Sequence, residues 1–269
     1  MTLFDLTDEV VVVVGGAGRI GPAVCGALAD HGAEVVVADV DRDAGRRVAD
    51  DIDGTYHHVD VTDETSIRKL YDAVIDGFDR IDAAVHAAYP RDAAYGDAFL
   101  ARGESDWREQ VDAQLTATAT LSREAIRRMH PDGAGTAGQS DPDDAVRDGG
   151  AVVNFGSTYG MVAPDFRVYE EANMPPSPAH YSASKGGILN LTRYLACEFA
   201  PEVRVNAVSP GGVFDEQDPE FVAAYEDRTP MDRMADPDDI AGAVVYLVSD
   251  AASYVTGENI AVDGGWTAQ

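Results

Sequence analysis

The chain has 269 residues, of which 45% are hydrophobic and 25% charged, so a fully disordered protein is excluded. Twenty basic residues against 48 acidic ones give a formal net charge of −28, which disfavours binding to nucleic acid. The sequence has no apolar run long enough to span a membrane, and its first residues lack the basic flank of an export signal, so we expect a cytoplasmic protein.

Lysine is nearly absent from the chain. Lys69 and Lys185 are the only two lysines, and the other 18 of the 20 Lys and Arg residues are arginines. An excess of acids with few lysines is similar to proteins of salt-loving microbes, in which high salt screens the self-repulsion. We therefore expect a halophilic origin; the alternative is an acidic cytosolic protein that does not need salt.

The pattern of cysteine and histidine does not indicate a metal site. Cys25 and Cys197 lie in helix-like segments, and neither has Cys or His at the spacing of metal ligands. His57 and His58 lie beside a predicted strand without a third ligand at helical spacing. We expect two buried, unreactive thiols and no metal.

Strand-like and helix-like segments alternate along the chain. The β-branched run Val10–Val14 predicts a strand buried on both faces. Six more strands are predicted at Glu34–Asp39, Thr55–Val59, Ile81–His86, Ala151–Phe155, Val203–Val208 and Asn259–Val262. Helices are predicted at Arg19–His31, Asp63–Asp76, Glu104–His130, Tyr181–Phe199 and Pro237–Ser249. This alternation indicates an α/β Rossmann fold, a seven-stranded parallel, doubly wound sheet with helices on both faces, in a single domain over residues 1–269.

Two segments interrupt the alternation. Pro131–Gly149 is rich in Gly, Asp and Pro and predicts a mobile surface loop. Met161–His180 contains four prolines, which predict an insertion without a regular helix on the substrate side of the site.

A glycine-rich turn follows the first predicted strand. Gly16, Gly18 and Gly21 fit the pattern G-x-G-x-x-G between a strand and a helix, which is the context that a dinucleotide-binding turn requires. Glycines there let backbone N–H groups approach a pyrophosphate at the helix N-terminus. The predicted cofactor-binding residues of this turn are Gly15, Gly16, Gly18, Arg19, Ile20 and Gly21. A purely structural turn is the alternative.

The end of the second strand bears on the choice of cofactor. Asp39 can accept hydrogen bonds from the adenosine ribose and would repel a 2′-phosphate, which favours NAD over NADP. Arg19 and Arg42 are counter-signals, because either could reach a phosphate. Asp60 and Val61 follow the third strand and are predicted at the adenine; a role of Asp60 near a helix N-cap is the alternative.

Three residues form the candidate catalytic group. Tyr181 and Lys185 are four residues apart on a predicted helix and therefore share a face. A nearby ammonium lowers the pKa of a phenol, so the pair is a candidate general acid/base. Ser157 follows the end of the predicted strand Ala151–Phe155, and its hydroxyl could hold a substrate oxygen beside Tyr181. A surface pair and a turn serine are the alternatives.

In combination these motifs resemble the short-chain dehydrogenase/reductase family over nearly the whole chain, including Asn206–Gly211 and Val262–Gly265. The resemblance implies a nicotinamide cofactor, hydride exchange at a CH–OH group and a Ser–Tyr–Lys site in which the lysine also binds the nicotinamide ribose. It places these further residues beside the cofactor: Ala87, Ala88, Pro210, Gly211 and Val213. It also implies a homodimer or homotetramer that pairs through the helices Glu104–His130 and Tyr181–Phe199.

The chain departs from the family pattern at several positions. Arg19 stands at the usual middle glycine of the turn, and His86–Tyr89 replaces Asn-Asn-Ala-Gly. Gln114 stands where relatives carry an asparagine, and we expect its amide to hold a water in the proton relay. Asp215 replaces a threonine after Pro210-Gly211.

The substrate is the least defined part of the prediction. Aromatic rings with polar groups suit a sugar, a polyol or a nucleotide-sugar. The predicted substrate residues are Tyr89, Arg91, Tyr159, Arg167 and Tyr169, with surface ion pairing as the favoured alternative for the two arginines. Three other functions stay open: an NADPH-dependent carbonyl reductase, an inactive nucleotide-binding regulatory protein, and an isomerase or dehydratase that uses NAD transiently.

Overall fold

A single parallel sheet organises the chain. The computed structural model describes residues 2–90, 99–129 and 149–269. The seven strands are ordered β3-β2-β1-β4-β5-β6-β7, and every pairing is parallel. Their bounds are β1 Val10–Val14, β2 Glu34–Asp39, β3 Thr55–His58, β4 Ala83–His86, β5 Gly150–Phe155, β6 Val203–Pro210 and β7 Asn259–Val262. The predicted seven-stranded, doubly wound Rossmann fold is confirmed.

Helices cover both faces of this sheet. In the described residues they are α1 Gly21–Asp30, α2 Arg42–Asp51, α3 Glu64–Phe78, α4 Glu104–Val111, α5 Ala117–Met129, α6 Phe166–Glu171, α7 Ala179–Phe199, α8 Pro219–Glu226 and α9 Pro237–Val248. None of the helices in this described part is long and apolar enough to cross a bilayer.

The valines of β1 divide the core into two layers. Val11 and Val13 point into the cluster that α1 and α9 cover, where Leu28 and Val244 are fully buried. Val10, Val12 and Val14 point to the opposite face, which α3 and α5 cover. Because successive strand side chains face opposite sides, a strand between two helical layers must be apolar at every position.

The chain reverses its winding between β1 and β4. Val14 pairs with Ala38 of β2 on one side and with His86 of β4 on the other. In open α/β sheets, ligands bind outside the carboxyl ends of the strands at this switch point. The fold therefore directs the loops after β1, β2, β3 and β4 toward one crevice.

Several expectations from the sequence differ from the structure. The helix expected over Glu104–His130 is interrupted by a π turn at Asp112–Thr116. Met161–His180 does contain a regular helix, because the six residues of α6 fit between the prolines and Asp165 caps their N-terminus. Helices α2 and α8 were not predicted from the sequence. Cys197, expected to be buried, is exposed on α7, whereas Cys25 is buried as expected. Of the predicted loop Pro131–Gly149, residues 131–148 lie outside the described residues.

Candidate active site

The loops at the switch point enclose a cavity of about 380 Å³. It lies where a dinucleotide-binding crevice is expected. The predicted cofactor residues that line it are Gly15, Gly18, Arg19, Ile20, Asp39, Asp60, Val61, Ala87 and Ala88. Tyr89, predicted at the substrate, lines the same cavity. The cavity therefore brings together ten of the residues predicted from the sequence.

Two glycines of the turn are required by close backbone approach. Gly15 has φ +84°, and a Cβ there would lie 2.5 Å from the backbone nitrogen of Ala88. A Cβ on Gly21 would lie 2.4 Å from the carbonyl oxygen of Gly15. The turn can thus pack against the loop after β4 while opening the N-terminus of α1 toward the cavity, which is the geometry that suits a pyrophosphate.

Asp39 is built into the wall of the cavity. Its Oδ2 accepts a hydrogen bond of 3.0 Å from the backbone of Ala17, and its Oδ1 accepts one of 3.0 Å from the backbone of Asp41. The carboxylate thereby fixes both the glycine turn and the start of α2. It also keeps a negative charge at the place where the adenosine ribose is expected.

Arg19 contacts the loop after β6. Its guanidinium donates to the carbonyl oxygen of Phe214 and forms an ion pair of 3.2 Å with Asp215. Both residues belong to the loop after β6, on the other side of the crevice. Arg19 is therefore engaged by this loop, and Asp215, a departure from the family pattern, supplies the matching charge.

Asp60 has a local structural role as well as a place in the cavity. Its Oδ1 accepts hydrogen bonds from the backbone of Thr62, at 2.9 Å, and from its hydroxyl, at 2.6 Å. These bonds hold the pKa of Asp60 below its ordinary value. The N-cap of α3 is Asp63.

Pro210, Gly211 and Val213, predicted beside the cofactor, do not line the cavity just described. Pro210 is the last residue of β6, and a Cβ on Gly211 would lie 2.9 Å from Cα of Asp263. Val213 forms an isolated bridge with Ala235. The backbone N–H of Gly212 donates to the hydroxyl of Tyr225 at 2.6 Å, so this segment is anchored by α8.

The candidate catalytic residues meet at the end of β5. Ser157 is nearly buried and accepts a hydrogen bond of 3.2 Å from the backbone of Tyr159. The turn that Ser157 caps packs so closely on α7 that a Cβ on Gly160 would lie 2.8 Å from the carbonyl carbon of Lys185. Lys185 Nζ donates to the carbonyl oxygen of Phe155 at 2.7 Å. The turn of Ser157 thus contacts α7 at the backbone of Lys185, and the side chain of Lys185 bonds to the end of β5.

The Lys185 ammonium lies against two aromatic rings. Its Nζ is 5.7 Å from the ring centroid of Tyr181 and 5.7 Å from that of Tyr89. The two rings are themselves 5.1 Å apart. Burial lowers the pKa of Lys185 to about 8. An ammonium beside Tyr181 favours the phenolate and so suits that phenol to proton transfer near neutral pH.

Gln114 lies in the π turn and faces the loop after β4. Its Nε2 is 3.4 Å from the carbonyl oxygen of Pro90 and 3.5 Å from Oε1 of Gln110. Its Oε1 is buried and accepts no hydrogen bond from the described residues. π turns inside helices are frequent at functional sites.

The predicted substrate residues divide into two groups. Tyr159 and Tyr169 are largely buried, and the hydroxyl of Tyr169 donates to that of Tyr159 at 3.1 Å. Arg167 is not brought to them: its side chain is exposed and paired with Asp165 at 2.6 Å. Arg91 lies outside the described residues.

A buried polar network beneath the site was missed by the sequence reading. The hydroxyl of Tyr71 donates to Nε2 of His86 at 2.9 Å, and His86 Nδ1 donates to Oδ1 of Asn154 at 2.8 Å. Asn154 in turn donates to the hydroxyl of Thr192 at 3.1 Å. Burial lowers the pKa of His86 to about 4, consistent with the neutral ring that these bonds require. The available signal was a polar residue within an otherwise apolar strand, His86 in β4 and Asn154 in β5.

Comparisons with known proteins agree with this geometry. A family model described as enoyl-(acyl carrier protein) reductase matches residues 15–155 and 142–267. The chain is 34% identical to cis-4-hydroxycyclohexanecarboxylate dehydrogenase of Sinomonas cyclohexanicum over 97% of each chain. It is 32% identical to the L-tagatose-forming galactitol 2-dehydrogenase of Cereibacter sphaeroides, over 99% of this chain and 98% of that one. A short-chain dehydrogenase from Leptospira borgpetersenii, solved with NAD+, superposes with a TM-score of 0.79 at 30% identity, covering 98% and 94% of the two chains.

Proposed function

The chain belongs to the short-chain dehydrogenase/reductase family, and we propose that it exchanges a hydride between NAD and a secondary alcohol of a sugar or polyol. The observation that carries this proposal is the lysine between Tyr181 and the strand end: Lys185 donates to the Phe155 carbonyl and lies 5.7 Å from the Tyr181 ring. A buried ammonium in that place is what a phenol needs to act as a base.

The crevice fits a nicotinamide dinucleotide. The N-terminus of α1 and the Cβ-free turn at Gly15 leave room for a pyrophosphate, and Asp39 and Asp60 line the adenosine end of the cavity. When bound, the cofactor supplies the hydride acceptor.

Each catalytic side chain has one role in the oxidation direction. Tyr181, as phenolate, accepts the proton of the substrate hydroxyl. Ser157 donates a hydrogen bond to the same oxygen, and Lys185 stabilises the phenolate by its charge. General base catalysis of this kind contributes about 10²–10⁴-fold to the rate.

We propose NAD as the preferred cofactor. Asp39 places a carboxylate where a 2′-phosphate would lie, and a like charge there disfavours NADP. Arg19, one of the two counter-signals, is engaged by Asp215 and Phe214. The Leptospira relative was solved with NAD+.

A neutral substrate agrees best with the charges of the described residues. Tyr159 and Tyr169 adjoin an aromatic cluster of α6, α8 and the C-terminal segment that includes Phe221, Tyr225 and Trp266. The nearby arginines are neutralised: Arg228 pairs with Glu171 at 2.6 Å, and Arg233 pairs with Asp239 at 2.6 Å. Aromatic faces with phenolic hydroxyls suit a polyol or sugar ring better than a carboxylate.

A direct spectrophotometric assay tests the proposal. The protein is incubated in molar KCl with NAD or NADP and a panel of polyols, sugars, nucleotide-sugars and hydroxy acids, and reduced nicotinamide is followed by absorbance. We expect polyol oxidation with NAD, lost in Tyr181→Phe but kept in Tyr254→Phe, whose tyrosine is fully exposed. Full turnover in Tyr181→Phe would remove the proposed mechanism.

We further propose a cytoplasmic homodimer or homotetramer from a salt-loving microbe. The net charge of −28 supports the adaptation to salt. Tyr194, 63% exposed on α7, supports pairing through that helix. Light scattering in molar KCl tests the assembly, and a monomer peak would contradict it.

A further inference from the structure

The loop after β4 places an aromatic ring where the family pattern has a glycine. Tyr89 lines the cofactor cavity and at the same time contacts both members of the candidate acid/base pair. Its ring centroid is 5.1 Å from that of Tyr181, with the planes inclined by 55°. The same ring is 5.7 Å from Nζ of Lys185.

The position of Tyr89 is fixed from two sides. Ala88, the residue before it, packs against Gly15, where a Cβ would come within 2.5 Å. The carbonyl of Pro90, the residue after it, lies 3.4 Å from Nε2 of Gln114. The backbone on either side of Tyr89 is thus in contact with the cofactor turn and with the π turn.

The groups around Lys185 explain why an aromatic ring beside it affects the charge of its ammonium. The lysine is buried, and burial is the only resolved cause of its lowered pKa, so no carboxylate of the described residues offsets the loss of water. The groups that face it are the Phe155 carbonyl from β5, Tyr181 from its own helix and Tyr89 from the loop after β4. Tyr159, in the turn packed on α7, interacts electrostatically with Tyr181. Aromatic faces attract a desolvated cation through their quadrupole.

We propose that Tyr89 is a positioning residue for the Tyr181–Lys185 pair: its ring lies beside that of Tyr181 against the Lys185 ammonium, and the two rings keep the ammonium charged beside the phenol. The inference rests on the proposed function, because it assigns Tyr89 a role in the same acid/base chemistry. It gives Tyr89 a place beside the catalytic pair in addition to the substrate contact expected from the sequence.

The scarcity of lysine makes a direct test feasible. With lysine labelled at ¹³Cε, NMR shows two side-chain signals, from Lys69 and Lys185, and Lys69→Arg assigns them. Lys69 is exposed on α3 and serves as the internal reference. In Tyr89→Leu we expect the pKa of Lys185 to fall by about half a unit to one unit, because the cation loses one ring face. Tyr89→Phe keeps the ring and should keep the lysine pKa.

A kinetic readout accompanies the NMR titration. As the lysine becomes neutral, the phenolate of Tyr181 loses its stabilising charge, so the pKa of Tyr181 rises. The acidic limb of the pH profile of kcat for alcohol oxidation should therefore move to higher pH in Tyr89→Leu. Tyr254→Leu, at a fully exposed tyrosine, is the matched control and should change neither the lysine signal nor the profile.

The outcomes separate the two proposals. An unchanged Lys185 titration in a folded Tyr89→Leu overturns the positioning role, whether or not the wild-type protein oxidises alcohols. A lowered pKa of Lys185 in both Tyr89→Phe and Tyr89→Leu also overturns the positioning role, because the phenolic hydroxyl and not the ring face would then carry the effect. A shift in Tyr89→Leu alone supports the role of Tyr89; if the wild-type protein has no dehydrogenase activity, only the proposed function fails.

Discussion

The buried imidazole of His86 predicts that the protein loses stability in mildly acidic solution. In the native state its ring is neutral, donating to Asn154 and accepting from Tyr71, and burial lowers its pKa from 6.5 to about 4. The unfolded chain takes up a proton below the ordinary pKa, which the native ring resists. Unfolding is therefore favoured progressively as the pH falls from about 6.5 to about 4.

The magnitude follows from the two pKa values. Proton linkage between 6.5 and about 4 gives a loss of about 2 kcal/mol of unfolding free energy between about pH 7 and about pH 5. The substitution His86→Gln keeps one donor and one acceptor in the network but does not titrate. It should lower stability at neutral pH by the cost of imperfect packing, yet remove this part of the pH dependence.

Equilibrium urea unfolding in molar KCl, followed by circular dichroism at both pH values, measures the effect. The quantity of interest is the difference in pH dependence between the wild-type protein and His86→Gln, because the carboxylates common to both cancel in it. His31→Gln controls for removing an imidazole from the surface. Equal losses of stability in the wild-type protein and His86→Gln would refute the buried neutral ring.

Three further predictions concern the cofactor turn and the charge. Asp39→Asn should reduce the preference for NAD over NADP by about tenfold, because the like charge near a 2′-phosphate is lost; an unchanged ratio of kcat/KM for the two cofactors would contradict this. Gly15→Ala should destabilise the fold by about 1–3 kcal/mol and weaken NAD binding, because φ is +84° and the new Cβ would meet Ala88. Gly26→Ala, in α1 with nothing within 4 Å of its Cβ, is the matched control and should stabilise the helix slightly in thermal melts. The melting temperature should rise by roughly 10 degrees or more from dilute buffer to molar KCl, and a melt that barely moves would argue against adaptation to salt.

The sheet could be predicted because burial on both faces leaves a simple pattern. An apolar run such as Val10–Val14 has few other places in a protein of this size. The helix α2 escaped prediction because its sequence is mostly charged, and only Gly45 and Ala49 are buried. The short α6 escaped because prolines were taken to exclude a helix across a segment in which they only bound it.

The site was predicted as residue types and not as geometry. Four-residue spacing indicates that Tyr181 and Lys185 share a helix face, but it does not indicate that Lys185 reaches the carbonyl of Phe155. His86, at the carboxyl end of β4, points into the core, where Asn154 and Tyr71 from distant segments are its hydrogen-bond partners. Contacts between residues far apart in sequence, such as Arg19 with Asp215, leave no local pattern to read.

The ion pair of Arg19 with Asp215 joins the glycine turn after β1 to the loop after β6. Because Arg19 lines the cavity, a dinucleotide bound there would lie beside this ion pair. Since both side chains are about half exposed, the bridge is weak, and dissolved salt weakens it further. Binding and release of the cofactor would then become faster as the ionic strength rises, because salt weakens the ion pair between the two loops.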